Sequence, residues 1–116
     1  MSRQYQPLDY RTIVITGTTG GITGGDIIPD GYVGSIKQIS YSELTNTGQN
    51  VQLRQQPSGQ NIDARRLAAQ ENWPDELDFE PEHTLGIIGQ SNVLQVVTSQ
   101  GNVIARVVYV IEPGRQ

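Results

Sequence analysis

Runs of apolar and β-branched residues, each cut short by a glycine, proline or asparagine turn, follow one another along this chain from Thr12 to Ile111. Ile, Val and Thr supply 31 of the 116 residues, and their branched Cβ atoms fit a pleated strand better than a helix. Thr12–Thr16, Tyr32–Leu44, Gln49–Gln55, Thr84–Ile88, Val93–Thr98 and Val103–Ile111 read as strands. The punctuation between them is specific. Ile28-Pro29-Asp30-Gly31, Asn46-Thr47-Gly48, Pro57-Ser58-Gly59 and Ser99-Gln100-Gly101-Asn102 are turn sequences. Gly17–Asp26 holds five glycines and reads as a surface loop.

Two strands carry further detail. In Tyr32–Leu44 the residues Val33, Ile39, Tyr41 and Glu43 share one parity, whereas Ile36 and Leu44 do not. Such a slip in a period of two predicts a bulge or a change of packing partner. Val103–Ile111 is apolar on both faces, with Val103, Ala105, Val107, Tyr109 and Ile111 on one and Ile104, Val108 and Val110 on the other. That pattern predicts a central strand covered on both sides, its second face meeting a helix, a loop or a neighbouring subunit.

The middle of the chain departs from the pattern. Asp63-Ala64-Arg65-Arg66-Leu67-Ala68-Ala69-Gln70-Glu71 is rich in helix formers, Asp63 is a suitable cap, and Trp73-Pro74 is a stop. Two helical turns are predicted there. Asp75, Glu76, Asp78, Glu80 and Glu82 follow, alternating with Leu77, Phe79 and Pro81, as in an edge strand or an extended arm. The expected fold is all-β: an antiparallel β-sandwich, jelly-roll-like, with one short helical insert. Residues 1–11 are expected to form an extended N-terminal arm, and residues 12–116 a single domain.

Composition excludes several functions. Cysteine is absent and histidine occurs once, so disulfides, thiolate metal sites and multi-histidine centres within one chain fall away. The net charge of -4 argues against nucleic acid. No apolar stretch reaches the ~18 residues that a membrane helix needs. Met1–Pro7 lacks the apolar core of a secretory signal, which predicts use without export. Only 17% of residues are charged and 13 are glutamine, a profile suited to a surface that meets other protein.

The chemical motifs are weak. Ile13–Gly24 is similar to the strand and glycine-rich turn that opens short-chain dehydrogenases. Gly25-Asp26-Ile27-Ile28-Pro29-Asp30-Gly31 cannot supply the helix that must follow, so the run is read as a loop. His83 has no nucleophile elbow to serve and is read as a surface or strand-edge residue. The acidic stretch lacks the spacing of a calcium loop. No catalytic, cofactor-binding or metal-binding residue is expected. The residues expected at a partner interface are Tyr5 and Tyr10, the Arg65-Arg66 pair, and Asp75, Glu76, Asp78, Phe79 and Glu80. The rings lie in polar segments that offer them little to pack on, and the charges suit ion pairs across a seam.

Ile27–Tyr41, with its Ile28-Pro29-Asp30-Gly31 turn and long strand, then Asn46–Leu53, resembles the opening of small β-sandwich virion proteins of tailed bacteriophages. Val93–Thr98 with Val103–Ile111 is similar to their closing hairpin. Together these cover about half the chain. The resemblance implies a non-enzymatic capsid decoration (cement) protein or another head or tail component. Its partners would be the major capsid protein or another virion protein, and it would itself be a homo-oligomer, a trimer or a dimer. It would be assembled in the host cytoplasm and used on the virion. A carbohydrate- or ligand-binding sandwich module is the alternative and would need an exposed aromatic platform. A cupin-like hydrolase would need more than one histidine.

Overall fold

Alternation at period two drives one face of each strand inward, and two such faces close on each other in two antiparallel layers. The computed structural model describes residues 10–74 and 85–114. Their strands are β1 (Tyr10–Gly17), β2 (Ile22–Gly24), β3 (Tyr32–Glu43), β4 (Gln49–Gln56), β5 (Asn61–Leu67), β6 (Asn72–Trp73), β7 (Gly86–Ile88), β8 (Val93–Thr98) and β9 (Val103–Pro113). The first sheet runs β1-β9-β3-β6, with β7 also paired to β3; the second runs β2-β8-β4-β5.

The core lies between these layers. Ile15, Ile36, Ile39, Tyr41, Ala105, Val107 and Tyr109 come from the first sheet, and Val51, Leu53, Leu67, Leu94 and Val96 from the second; all are buried. β9 is central, flanked by β1 and β3. The slip expected in β3 is a register shift against β9 between Ile36 and Gln38. The extra residue, Lys37, lets Ile36 and Ile39 both face inward although they lie three apart.

The predicted helix is not formed. Residues 61–67 are strand β5, paired antiparallel with β4 from Gln49↔Leu67 to Arg54↔Asn61. Local helix propensity is worth only tenths of a kcal/mol per residue. It is outweighed by the ladder to β4 and by burial of Leu67, which is 0% exposed. No helix occurs among the described residues. The glycine-rich loop is likewise interrupted, since Ile22–Gly24 pairs with β8 as β2. Gly24 is needed there because a Cβ would stand 2.7 Å from the Ile15 side chain, so β2 closes directly over β1. Tyr10 and Arg11, expected in the arm, are the first two residues of β1. The acidic segment expected as an edge strand or arm lies outside the described residues.

Candidate interaction surface

Of the expected interface residues, Tyr5, Asp75, Glu76, Asp78, Phe79 and Glu80 lie outside the described residues, as does His83. Tyr10, Arg65 and Arg66 lie within them, and the structure does not bring these three together. Tyr10 begins β1, 42% exposed. Arg65 and Arg66 are neighbours on β5, and strand alternation sends them to opposite faces. Arg66 points outward, opposite Asn50. Arg65 points into the seam between the sheets, so the adjacent basic pair does not act as one cationic site.

That seam is closed by a polar clasp. Tyr41 on β3 donates its hydroxyl hydrogen to Asp63 on β5 at 2.8 Å. Arg65 donates Nε–H to the same carboxylate oxygen at 3.0 Å. The Arg65 guanidinium lies 3.4 Å from the centroid of the Trp73 ring, and that ring tilts against Tyr41 at 5.9 Å. One sheet thus supplies Tyr41 and Trp73, the other Asp63 and Arg65. Burial pushes the Tyr41 phenol far above its ordinary range; the Asp63 charge and hydrogen bond add to this, and Arg65 opposes it. The Tyr41 phenol therefore holds its proton and donates it to Asp63 in the hydrogen bond. Trp73 is half-buried, one face of its ring covered by the Arg65 guanidinium.

A second polar node sits at one end of the sandwich. Gln49 donates Nε2–H to the Glu43 carboxylate at 2.6 Å and to the Gly101 carbonyl at 2.5 Å, and its own Oε1 accepts from Gln100 N–H at 2.8 Å. Glu43 also accepts from the backbone N–H of Thr45. Burial alone would raise the Glu43 carboxyl; the hydrogen bonds from Thr45, Gln49 and the Gln70 backbone outweigh it and hold the group below the usual carboxylate range. Gly48 completes this end with φ of +74°, its α-carbon so close to β5 that a Cβ would stand 2.6 Å from the Leu67 carbonyl oxygen.

The outer face of the first sheet is partly accessible. Its rows, read across β1, β9 and β3, are Tyr10–Val110–Ser35, Thr12–Val108–Gln38, Val14–Arg106–Ser40 and Thr16–Ile104–Ser42. Ile87 on β7 extends the first row. Val14 is 62% exposed and Ile87 46%. Val110 and Ser35, at the centre of the top row, are each 1% exposed, whereas Ile104 and Val108 are half-buried and Arg106 is exposed, so the second face of β9 is covered only at one end. Beside them Ser35 donates its hydroxyl hydrogen to Glu112, and Val33, Ser35, Ile87, Glu112 and Pro113 line a hollow of about 450 Å³. Among the described residues no group of three or more Asp, Glu, His or Cys side chains is placed to hold a metal ion.

Neither the models of known protein families nor the curated proteins offer a match to this chain. Its likeness to phage virion proteins therefore rests on the sequence pattern alone.

The useful signal that sequence reasoning passed over is the alternation Asp63, Arg65, Leu67 on one parity. Two opposite charges two residues apart, followed by a leucine, describe a strand whose inward face ends in an ion pair.

Proposed function

We propose that this chain is a non-enzymatic assembly protein, a capsid decoration or cement protein of a phage particle, partnered by the major capsid protein or another virion protein. The observation that carries the reading is the outer face of the first sheet. It presents Tyr10, Val14 and Ile87 to solvent on a two-layer scaffold. Exposed apolar residues on a sheet face are a means of covering another protein, and stable contacts of this kind bury ~1,200–2,000 Å². The jelly-roll form belongs to the same proposal. It is supported by the pairing of β1 with β9, β2 with β8, β3 with β6 and β7, and β4 with β5, the order of one antiparallel ribbon rolled into two sheets. The phage assignment is supported by the sequence resemblance, whose segments fall on β3, β4 and the β8–β9 hairpin.

A ligand-binding module has one observation in its favour, the hollow between Val33, Ile87, Glu112 and Pro113, whose volume lies within the ~300–1,000 Å³ of small-molecule sites. Sedimentation of a lysate of the native source, following this chain, separates the two. Under the assembly reading it runs with a large particle. If it stays at the top of the gradient as a small species, the assembly reading fails and screening of glycans and small ligands against the hollow becomes the next step.

A further inference from the structure

We infer that β1 is a docking edge for a second copy of this chain, the two β1 strands running antiparallel about a two-fold axis at Val14. The inference rests on the assembly reading and deepens it by naming the partner of one edge.

β1 is the outermost strand of its sheet among the described residues. The hydrogen bond from Leu44 N–H to the Asn102 carbonyl, 3.0 Å, fixes the phase of the ladder. In an antiparallel pair alternate residues turn both polar groups to the same neighbour. Counting from Asn102, Ile104 and Arg106 bond to β3, and Val103, Ala105 and Val107 turn toward β1. Their partners on β1 are Gly17, Ile15 and Ile13. Thr12, Val14 and Thr16 therefore aim N–H and C=O away from β9, and none of these groups finds a partner among the described residues.

Natural sheets blunt such edges with proline, lysine, bulges or short strands. β1 has eight residues, no proline, no lysine and no register shift against β9. Its one charge, Arg11, stands near one end and is engaged with Asp26.

The sequence selects the occupant. Thr12-Ile13-Val14-Ile15-Thr16 reads the same in both directions. A two-fold axis at Val14 sets Val14 against Val14, Ile13 against Ile15 and Thr12 against Thr16. Cross-strand pairs of β-branched residues and of threonines are favourable. Arg11 falls opposite Gly17, so no like charges meet. A slip of one residue would turn Ile13 and Ile15 to the wrong face, and a slip of two would set Thr12 against Val14 and Arg11 against Ile15. The exposed Val14 side chain is covered by its own copy, as an isologous contact requires.

The test is the mass of the purified full chain by light scattering on a sizing column at tens of micromolar. Wild type is expected at twice the 12.7 kDa of one chain. Val14→Pro deletes an N–H that faces away from β9 and so spares the sheet's own ladder. Val14→Lys sets a charge against its own copy. Both are expected to halve the mass while keeping the wild-type circular dichroism and melting curve, and Thr16→Lys serves if either fails to fold. Val14→Cys adds the chain's sole thiol. The paired Cα atoms would stand about 5.5 Å apart, within disulfide reach, so mild oxidation is expected to yield one covalent dimer. A monomeric wild type overturns the inference, as does a folded lysine variant that keeps the wild-type mass. A dimer that meets these expectations yet runs free of any particle would retire the virion reading and leave this one standing.

Discussion

Gln49 and Gln55 stand on the inner face of β4, with Val51 and Leu53 between them. An apolar pair capped by an amide at each end lets one strand fill the core and tie down the chain at both rims. Gln49 holds Glu43 and the β8–β9 turn. Gln55 donates to the Ile87 carbonyl at 3.1 Å and accepts from Gly89 N–H at 2.8 Å, fastening β7 of the other sheet. The amide-rich composition pointed to an outward, partner-facing surface; part of it is spent inside, where unpaired backbone groups would be costly. Glu43 makes this end sensitive to pH. A carboxyl held below its unfolded value of ~4.3 stabilises the fold above that pH and loses the contribution as pH falls through the folded value. Glu43→Gln also replaces one acceptor by an NH₂ that faces donors. The variant is expected to melt below wild type at pH 7, the gap closing as the buffer is taken into the acid range. Thermal melts of both proteins between pH 7 and pH 3 measure it; a gap that stays constant would deny Glu43 its role.

At the level of strands, most of the fold was legible. The β3 bulge could be placed because Ile36 and Ile39 conflict in parity, and a conflict between two large apolar residues has few resolutions. β9 could be placed at the centre because both its faces are apolar. β5 could not be placed, because Asp63, Ala64, Arg65 and Arg66 favour helix locally, and the forces that overrule this lie across the chain, in the ladder to β4 and the clasp with Tyr41 and Trp73. β6 escaped notice because two residues carry no period. The turn joining β3 to β4 bears a sharper test. At Gly48 the left-handed backbone and the Leu67 carbonyl both exclude a side chain. Gly48→Ala is expected to cost about 1–3 kcal/mol, read as a lower midpoint in urea with an unchanged slope. A neutral result would mean that the turn and β5 shift apart freely.

Over the whole molecule the charges are unevenly shared. Arg11, Lys37, Arg54, Arg65, Arg66 and Arg106 balance Asp26, Asp30, Glu43, Asp63, Glu71 and Glu112 across the described residues. The acidic excess of the sequence is concentrated in Asp75–Glu82. If that segment meets a basic partner, association with a particle should weaken as salt rises from ~50 to ~500 mM, since exposed charges are screened over a few ångströms at high ionic strength. A gradient run at both salt concentrations reads this directly, and equal association at both would assign the contact to the apolar sheet face instead. The face proposed for contact was much less legible than the fold. Tyr10 could be named because an aromatic ring in a polar segment asks for a cover. Val14 and Ile87 could not, because exposure of a β-branched residue depends on which strands become edges, and that is decided by pairings across the whole chain.

One such pairing governs how the molecule is made. Tyr10 lies opposite Val110 and Gly17 opposite Val103, so β1 binds a strand made long after it. At the ~5–20 residues per second of synthesis, β1 waits several seconds before β9 exists. The first sheet thus closes only once β9 has been made, and a chain that stops before Val103 has no centre to that sheet. A chain interrupted before β9 leaves β1 and β3 without the strand that joins them.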